Sequence, residues 1–433
     1  MIVGLAPTPM EPEPLASTVR APESEELEHQ RGGWRELLHN RRFLLLQASG
    51  ALAGAGYAVY SIAVVFLAYG ITGNLLIAGA VFFIETGVYT LTFLVAPIVD
   101  RARDKRSILL ACYPFQAAAA GVLAYALRTG TASIPLILGV SFVVALGWDF
   151  VWAAFMVAPP ILVPKRQLYL ADSINNIVGA GTQIGGYAGG GALLYFIGPV
   201  GGATAYLVIL IAAIAVTIPL SLRIDNPPTT RFWETFRRGW DAFRGKAGRP
   251  LRAIAVMETY LGFFTTLPAL LVTAIAYQRF ANPAGAYGAL ITAYALGGSL
   301  TGIVVGHYNP RRSVGLILLL CPLIAGVATL ALVPTSSSGI LVGGLLAVVG
   351  AALTVRFTAK YTWVQGSYPP EVLGRLTSNV YLFTGAAASV AVLLVGTLSL
   401  QVSLANLLLI TGVGLLGGTV LCLLLPTIRH LAF

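Results

Sequence analysis

Apolar runs long enough to cross a membrane follow one another along this chain from residue 43 to residue 426. A membrane-spanning helix needs about 20 mainly apolar residues, and in lipid its backbone polar groups must be satisfied within the segment. Twelve such spans are predicted, at 43–70, 75–99, 107–128, 133–163, 168–197, 202–222, 251–279, 284–307, 313–333, 338–366, 374–398 and 402–426. The fourth and tenth are long enough to protrude or kink, and Pro159-Pro160 favours a kink in the fourth. With 57% hydrophobic and 10% charged residues, the chain is predicted to be an all-α membrane protein.

A polar stretch at residues 223–250 divides these runs into two sets of six. Within it an aromatic stripe recurs at helical spacing, with arginines largely elsewhere, which predicts an amphipathic helix in the headgroup plane; the stripe is Phe232, Phe236, Trp240 and Phe243. The proline- and glutamate-rich start of the chain predicts a mobile tail. The predicted organisation is a cytoplasmic tail at 1–40, a six-helix bundle at 41–222, a linker at 223–250 and a second six-helix bundle at 251–433.

Lysine and arginine lie almost entirely in alternate breaks between the runs, which sets the predicted orientation. The breaks predicted to be cytoplasmic hold Arg41, Arg42, Arg101, Arg103, Lys105, Arg106, Lys165, Arg166, Arg311, Arg312, Arg375 and Arg429, together with the central stretch. The breaks on the other side hold only Arg128 and Arg279. Both termini are therefore expected in the cytoplasm and the protein in the cell membrane. This distribution accounts for the net charge of +10 without a nucleic-acid partner.

Motifs for enzymatic or metal chemistry are absent from the sequence. There is no phosphate-binding loop, zinc-protease helix or nucleophile elbow. Cys112, Cys321 and Cys422 lie inside apolar runs with neither disulfide nor zinc spacing. We therefore expect no enzyme activity, catalytic residue, cofactor or metal.

The two halves of the chain resemble each other. Lys105-Arg106-Ser107 opens the third span and Arg311-Arg312-Ser313 opens the ninth. The segment 164–173 (PKRQLYLADS) has a counterpart at 369–378 (PPEVLGRLTS) with a similar offset. Repeated six-span halves predict a transporter whose site lies between them, near the middle of the membrane.

The loop after the second span resembles a signature of the major facilitator superfamily. It reads APIVDRARDKR from Ala96 to Arg106, with Ala96 and Arg103 where the signature has glycine. The resemblance covers residues 41–427 and implies two pseudo-symmetric six-helix bundles that rock against each other. It also implies a cytoplasmic gate formed by Asp100, Arg101, Arg103, Lys105 and Arg106. The alternative is that these arginines only set orientation.

A glycine pattern in the fifth span is similar to the motif of proton-coupled efflux members of the superfamily. It comprises Gly181, Gly185, Gly186, Gly189 and Gly190, with Gly186 where proline is usual. The resemblance implies export, with a kink at this helix closing a gate; the alternative is general packing of small residues. Residues 161–173 and 374–378 resemble the branch with enterobactin-type siderophore exporters and macrolide efflux proteins.

Five ionisable residues lie well inside the predicted spans, where each needs a partner or a water-filled cavity. They are Glu85, Asp149, Glu258, Arg356 and Lys360. The three acids are candidates for proton coupling, because a carboxylate partly removed from water takes up a proton more readily. Arg356 is expected to neutralise one of them or to bind an anionic group of the substrate. The alternatives are a static pair, for example Asp149 with Arg356, and a Lys360 side chain that extends to the interface.

Aromatic residues near these charges suit a wide cleft for a bulky, partly apolar compound, although core packing is the alternative for each. The candidates for the central cavity are Tyr57, Tyr89, Trp152 and Tyr260, beside Arg356 and Lys360. The expected function is proton-coupled efflux of a small amphipathic compound by a monomer in the lipid bilayer. An importer or uniporter of a metabolite and a lysolipid or lipid transporter are the alternatives.

Overall fold

The structure, a computed structural model, describes residues 36–164, 167–223, 249–308, 314–335, 338–367 and 370–429. This part of the chain is helical, and its strand-like pairing is limited to an isolated bridge between Asp104 and Arg223. Residues 1–35 of the predicted tail and the predicted linker helix lie outside the described residues.

The first half of the chain forms six crossing segments, α1 to α6. They are α1 (Arg41–Thr72), α2 (Leu75–Thr90 and Thr92–Arg101), α3 (Lys105–Thr129), α4 (Ile134–Val157), α5 (168–197) and α6 (199–217). A short helix, Pro159–Leu162, follows α4, so the helix is interrupted at the two prolines, and a kink there stays a prediction. The last two segments lie in one helical run that is broken at Gly198, where φ is 72°. Glycine suits this break because it has no Cβ to clash at positive φ.

The second half forms six further segments. They are α7 (Arg249–Thr265 and Leu267–Arg279), α8 (Pro283–Tyr308), α9 (Val314–Ala331), α10 (Gly339–Ser367), α11 (Pro370–Leu398) and α12 (Leu404–Leu424). The tenth segment is one helix. Eight described stretches are long and apolar enough by themselves to cross a membrane, and one of them contains both α5 and α6. With α2, α8 and α11 added, the described helices form the twelve predicted crossing segments.

Short polar residues begin several of these helices. Asn40, Asn74 and Asp104 each accept a hydrogen bond from a backbone N–H in the first turn of α1, α2 and α3. Such caps satisfy backbone donors that the first turn leaves free. Gly73 and Gly130, with φ of 68° and 69°, end α1 and α3. The turns predicted between apolar runs are therefore fixed by local backbone chemistry.

The two halves contact each other mainly away from the chain termini. We call the end of the bundle where α1 begins and α12 ends the terminal face, and the other end the opposite face. Near the opposite face the backbone N–H of Leu75 donates to Ser399 Oγ at 3.2 Å, and Tyr277 OH donates to the carbonyl of Phe66 at 3.0 Å. Deeper in the bundle, Ser389 Oγ donates to Thr86 Oγ1 at 2.9 Å. These bonds join α2 to α11 and α1 to α7.

A close helix contact joins α5 and α8 near the same face. A Cβ placed on Gly191 would meet the backbone of Gly288, and one placed on Gly288 would meet the backbone of Gly191. Only residues without a side chain allow this approach. The halves are therefore packed together at the opposite face, and the polar contacts between their described residues lie there or near the middle of the bundle.

Candidate functional site

A buried ion-pair cluster connects α7 and α10 in the second half. Arg356 Nη1 donates to Glu258 Oε1, and Lys360 Nζ donates to Glu258 Oε2 at 2.8 Å. Arg356 and Lys360 lie four residues apart, on one face of α10, and both are 5% exposed, while Glu258 is 1% exposed. One carboxylate thus faces two cations where little water reaches them.

The structure differs from two alternatives that the sequence left open for these cations. Arg356 pairs with Glu258 and not with Asp149, because α7 and α10 place the two groups together within the second half. Lys360 does not extend to the membrane interface, since it is buried and bonded to Glu258. A lysine inside the membrane needs a partner, and the carboxylate of Glu258 is that partner.

Asp149 lies on α4 with a hydroxyl as its hydrogen-bond partner. Thr92 Oγ1 donates to Asp149 Oδ1 at 2.5 Å, and the aspartate is 1% exposed. Within the described residues Asp149 Oδ2 has no hydrogen-bond partner. Thr92 begins the second piece of α2, so the break in that helix sets its position. Nothing in the sequence marked this threonine.

Glu85 lies on α2 and also has a hydroxyl as its partner. Ser61 Oγ of α1 approaches its two carboxylate oxygens at 3.4 and 3.3 Å. In the described part of the chain no lysine or arginine pairs with Glu85. Ser61 was missed by sequence reasoning, which concentrated on charges.

An open cavity of about 250 Å³ lies beside Arg356. Its lining comes from α7, α8 and α10 and comprises Thr265, Tyr294, Leu353, Thr354, Arg356 and Phe357. Arg356 Nε is buried and has no hydrogen-bond partner among the described residues. In the same part of the chain no group of three or more His, Cys, Asp or Glu residues could hold a metal ion.

The aromatic candidates have different surroundings. Tyr57 stacks on Trp148 with ring centroids 4.7 Å apart, while Trp152 and Tyr89 are 39% and 40% exposed. Tyr260 instead donates its hydroxyl to the carbonyl of Gly414 at 3.0 Å. It therefore packs α7 against α12, and its place in the central cavity stays a prediction.

One residue of the predicted gate loop, Lys105, has a clear structural role. Lys105 is 1% exposed, and its Nζ donates to the carbonyls of Val99, Asp100 and Ala102 at 2.6, 2.8 and 2.8 Å. The lysine thus donates to carbonyl groups at the end of α2, where the last turn of a helix has carbonyls without a partner inside the helix. Arg101 and Arg103 are exposed, and Asp100 and Arg106 are half-buried. A gating role for this loop stays a prediction.

The glycines of α5 divide into two sets. A Cβ on Gly186 or Gly190 would come within 2.7 to 3.1 Å of α1, so these two allow α5 to approach α1. Gly181, Gly185 and Gly189 have no atom within 4 Å of such a Cβ. The kink expected in this motif is not present, and the break occurs later, at Gly198.

Comparison with known proteins identifies the family of this chain and solved structures with a similar fold. A family of the major facilitator superfamily, described as transmembrane secretion effector, matches residues 38–431. No curated protein matches the sequence. Among solved structures, a variant of the nucleoside transporter NupG superposes with a TM-score of 0.75 at 11% identity, covering 89% of this chain and 99% of that chain.

Two further structures share the fold. A POT family transporter in complex with 5-aminolevulinic acid has a TM-score of 0.72 at 11% identity, covering 90% of this chain and 96% of that chain. A bacterial homologue of the human lysosomal transporter Spinster, in an inward-facing and unoccupied conformation, has a TM-score of 0.63 at 14% identity, with coverage of 90% and 96%. At such identities the likeness establishes the fold alone.

Proposed function

Because the chain belongs to the transmembrane secretion effector family of the major facilitator superfamily, and is thus a multi-pass membrane transporter, we propose that it exports a small amphipathic compound in exchange for protons. Asp149 and Glu85 are the proposed proton carriers. We further propose that it works as a monomer in the cell membrane, with both termini in the cytoplasm and the domain bounds predicted above.

The contrast between the three intramembrane acids carries this proposal. Glu258 is paired with two cations, which stabilise its charge in every step that keeps them together. Asp149 and Glu85 have hydroxyl partners, and among the described residues no cation pairs with either. A buried carboxylate without a cation is costly to ionise. Such a group gains from binding a proton, which is what coupling requires.

The packing of the halves supports alternating access. Their described polar contacts lie at the opposite face or near the middle of the bundle. In the proposed orientation the opposite face is outside the cell, so this arrangement corresponds to a state closed to the outside. Rocking of the halves would separate these contacts and expose the site to the other side.

The test is efflux of a fluorescent amphipathic dye from cells, with and without a protonophore. It compares the unsubstituted chain with Asp149→Asn, Glu85→Gln and Glu258→Gln, each corrected for the amount of folded protein in the membrane. We expect the protonophore to abolish efflux, and at least one of Asp149→Asn and Glu85→Gln to lower it about a hundredfold or more, the lower end of what a positioned proton-transfer group contributes.

Other outcomes would contradict parts of the proposal. Normal efflux by both variants would make the two acids structural and would overturn the coupling assignment. Efflux that ignores the protonophore would indicate uniport. Dye accumulation would indicate import, and transport only of lipids, with headgroup preference, would indicate a lipid transporter.

A further inference from the structure

We infer that the cavity between α7, α8 and α10 binds an acidic group of the transported compound, a carboxylate or a sulfonate, and that Arg356 recognises it. The inference rests on the proposed function, since it names the chemical class of the compound moved. It assigns the second half to substrate binding and leaves proton coupling with Asp149 and Glu85 in the first half.

The charge of Arg356 is only partly compensated by its carboxylate partner. Glu258 has one negative charge and accepts hydrogen bonds from both Arg356 and Lys360, so it compensates the charge of Arg356 only in part. Arg356 is 5% exposed, lines the cavity and has an Nε without a partner among the described residues. Leaving a buried donor on a charged group unpaired is costly. An anion in the cavity would compensate the remaining charge of the guanidinium group.

The remaining lining suits an acidic group attached to an apolar body. Thr265 and Thr354 bring hydroxyl groups that can donate to an oxyanion, while Leu353, Tyr294 and Phe357 provide apolar surface. Sites for drug-sized ligands commonly combine a mostly apolar wall with a few placed polar groups.

The break in α7 lies beside the same cavity. Thr265 ends the first piece, and Leu267 begins the second. No side chain caps the N-terminus of the second piece. Helix N-termini carry partial positive charge and favour anions, and broken helices of transporters use them in this way. This helix end is a second feature of the cavity wall, beside Arg356, that favours an anion.

Charge-selective modification of a cysteine tests the cavity without knowledge of the substrate. Thr354→Cys is treated in detergent with sulfonatoethyl methanethiosulfonate, an anion, and with trimethylammonioethyl methanethiosulfonate, a cation. Thr129→Cys, exposed at the opposite face, is the reference position, and the unsubstituted chain corrects for its three cysteines. We expect the ratio of anionic to cationic rates to be about tenfold higher at Thr354→Cys than at Thr129→Cys.

Two arginine variants assign the effect. Arg356→Gln added to Thr354→Cys should remove the preference, and Glu258 keeps Lys360 as its partner in that variant. Arg279→Gln, near the other end of α7 where Arg279 bonds Leu332 and Thr335, should leave it unchanged. No preference, a preference unaffected by Arg356→Gln, or a Thr354→Cys that reacts with neither reagent would each overturn the inference.

Protection of the Thr354→Cys thiol by added compounds tests which class of ligand the cavity binds. Thr354→Cys is modified with uncharged methyl methanethiosulfonate in the presence of phenylbutyrate or of its neutral amide, phenylbutyramide, at matched concentration. We expect phenylbutyrate to slow modification at least about threefold more than the amide, since one charge-assisted hydrogen bond distinguishes them. Equal protection by both, or none by phenylbutyrate, would overturn recognition of an acidic group. The modification and protection experiments do not require protonophore-sensitive efflux. This inference and the proposed function can therefore be contradicted independently.

Discussion

At the scale of single residues, Glu258 pairs with two neighbouring cations, and its removal should destabilise the second half. Glu258→Gln leaves Arg356 and Lys360 buried near each other without their described carboxylate partner. Breaking a buried pair by removing one partner typically costs about 3 kcal/mol. We therefore expect a clearly lower thermal unfolding midpoint for Glu258→Gln in detergent.

Lys360→Met is the matched control for that prediction. Glu258 keeps its hydrogen bond from Arg356 in this variant, so we expect a smaller loss of stability. Equal midpoints for Glu258→Gln and the unsubstituted chain would show that the pair contributes nothing to stability.

The residue scale also shows where sequence reasoning stops. Each intramembrane charge was found from its position in an apolar run, because such charges are rare and costly. Their partners were not found, since Thr92 and Ser61 are ordinary polar residues until helix packing places them beside Asp149 and Glu85. The Asp149–Arg356 alternative joined two opposite charges, and opposite charge alone does not predict which groups meet.

At the scale of elements, Lys105 holds the end of α2 against the start of α3. Its Nζ donates to three backbone carbonyls. The backbone N–H of Lys105 donates to the carbonyl of Leu222, after α6, at 3.1 Å. Lys105→Met removes the three side-chain bonds, so the half-buried carbonyls of Asp100 and Ala102 lose a donor, while the carbonyl of Val99 keeps the N–H of Ala102. We expect the free energy of unfolding to fall by about 2 kcal/mol.

Arg103→Met is the control in the same loop, because Arg103 is exposed and exposed substitutions usually change stability little. Thermal unfolding of the two variants in detergent makes the comparison. A loss for Arg103→Met as large as that for Lys105→Met would mean that loop charge, and not the carbonyl contacts, stabilises this corner.

The positions of the elements were predicted well, and their internal breaks only partly. Proline predicted the end of α4, because it removes a donor and clashes with the preceding turn. The breaks at Leu91 in α2 and Thr266 in α7 were not predicted. Pro268, in the first turn of the second piece of α7, is a signal that was not used, whereas the break at Leu91 has no proline or glycine beside it.

At the scale of the whole molecule, the contact between Thr86 and Ser389 joins α2 of the first half to α11 of the second. If the halves rock, a disulfide at this contact should hold one state. We expect oxidised Thr86→Cys/Ser389→Cys to lose at least about nine-tenths of its dye efflux, and a reductant to restore it, because alternating access requires these helices to move apart.

A pair within one half controls for oxidation. Ser49 of α1 and Thr217 of α6 have hydroxyl oxygens 2.7 Å apart, and both belong to the first half. Oxidised Ser49→Cys/Thr217→Cys should transport normally, since a rigid half does not change internally. Normal transport by oxidised Thr86→Cys/Ser389→Cys, with cross-linking verified, would contradict rocking about this contact.

The sequence by itself determined the fold class, the number of crossing helices, their approximate bounds and the location of the intramembrane charges. These follow from length, hydropathy and helix-end residues, which act over a few turns. Only the tertiary structure decided that Arg356 and Lys360 bond Glu258, that Asp149 rests on Thr92, and that Tyr260 packs on α12. Each of these contacts joins helices far apart in the chain, and a burial preference states that a charge needs a partner without stating which one.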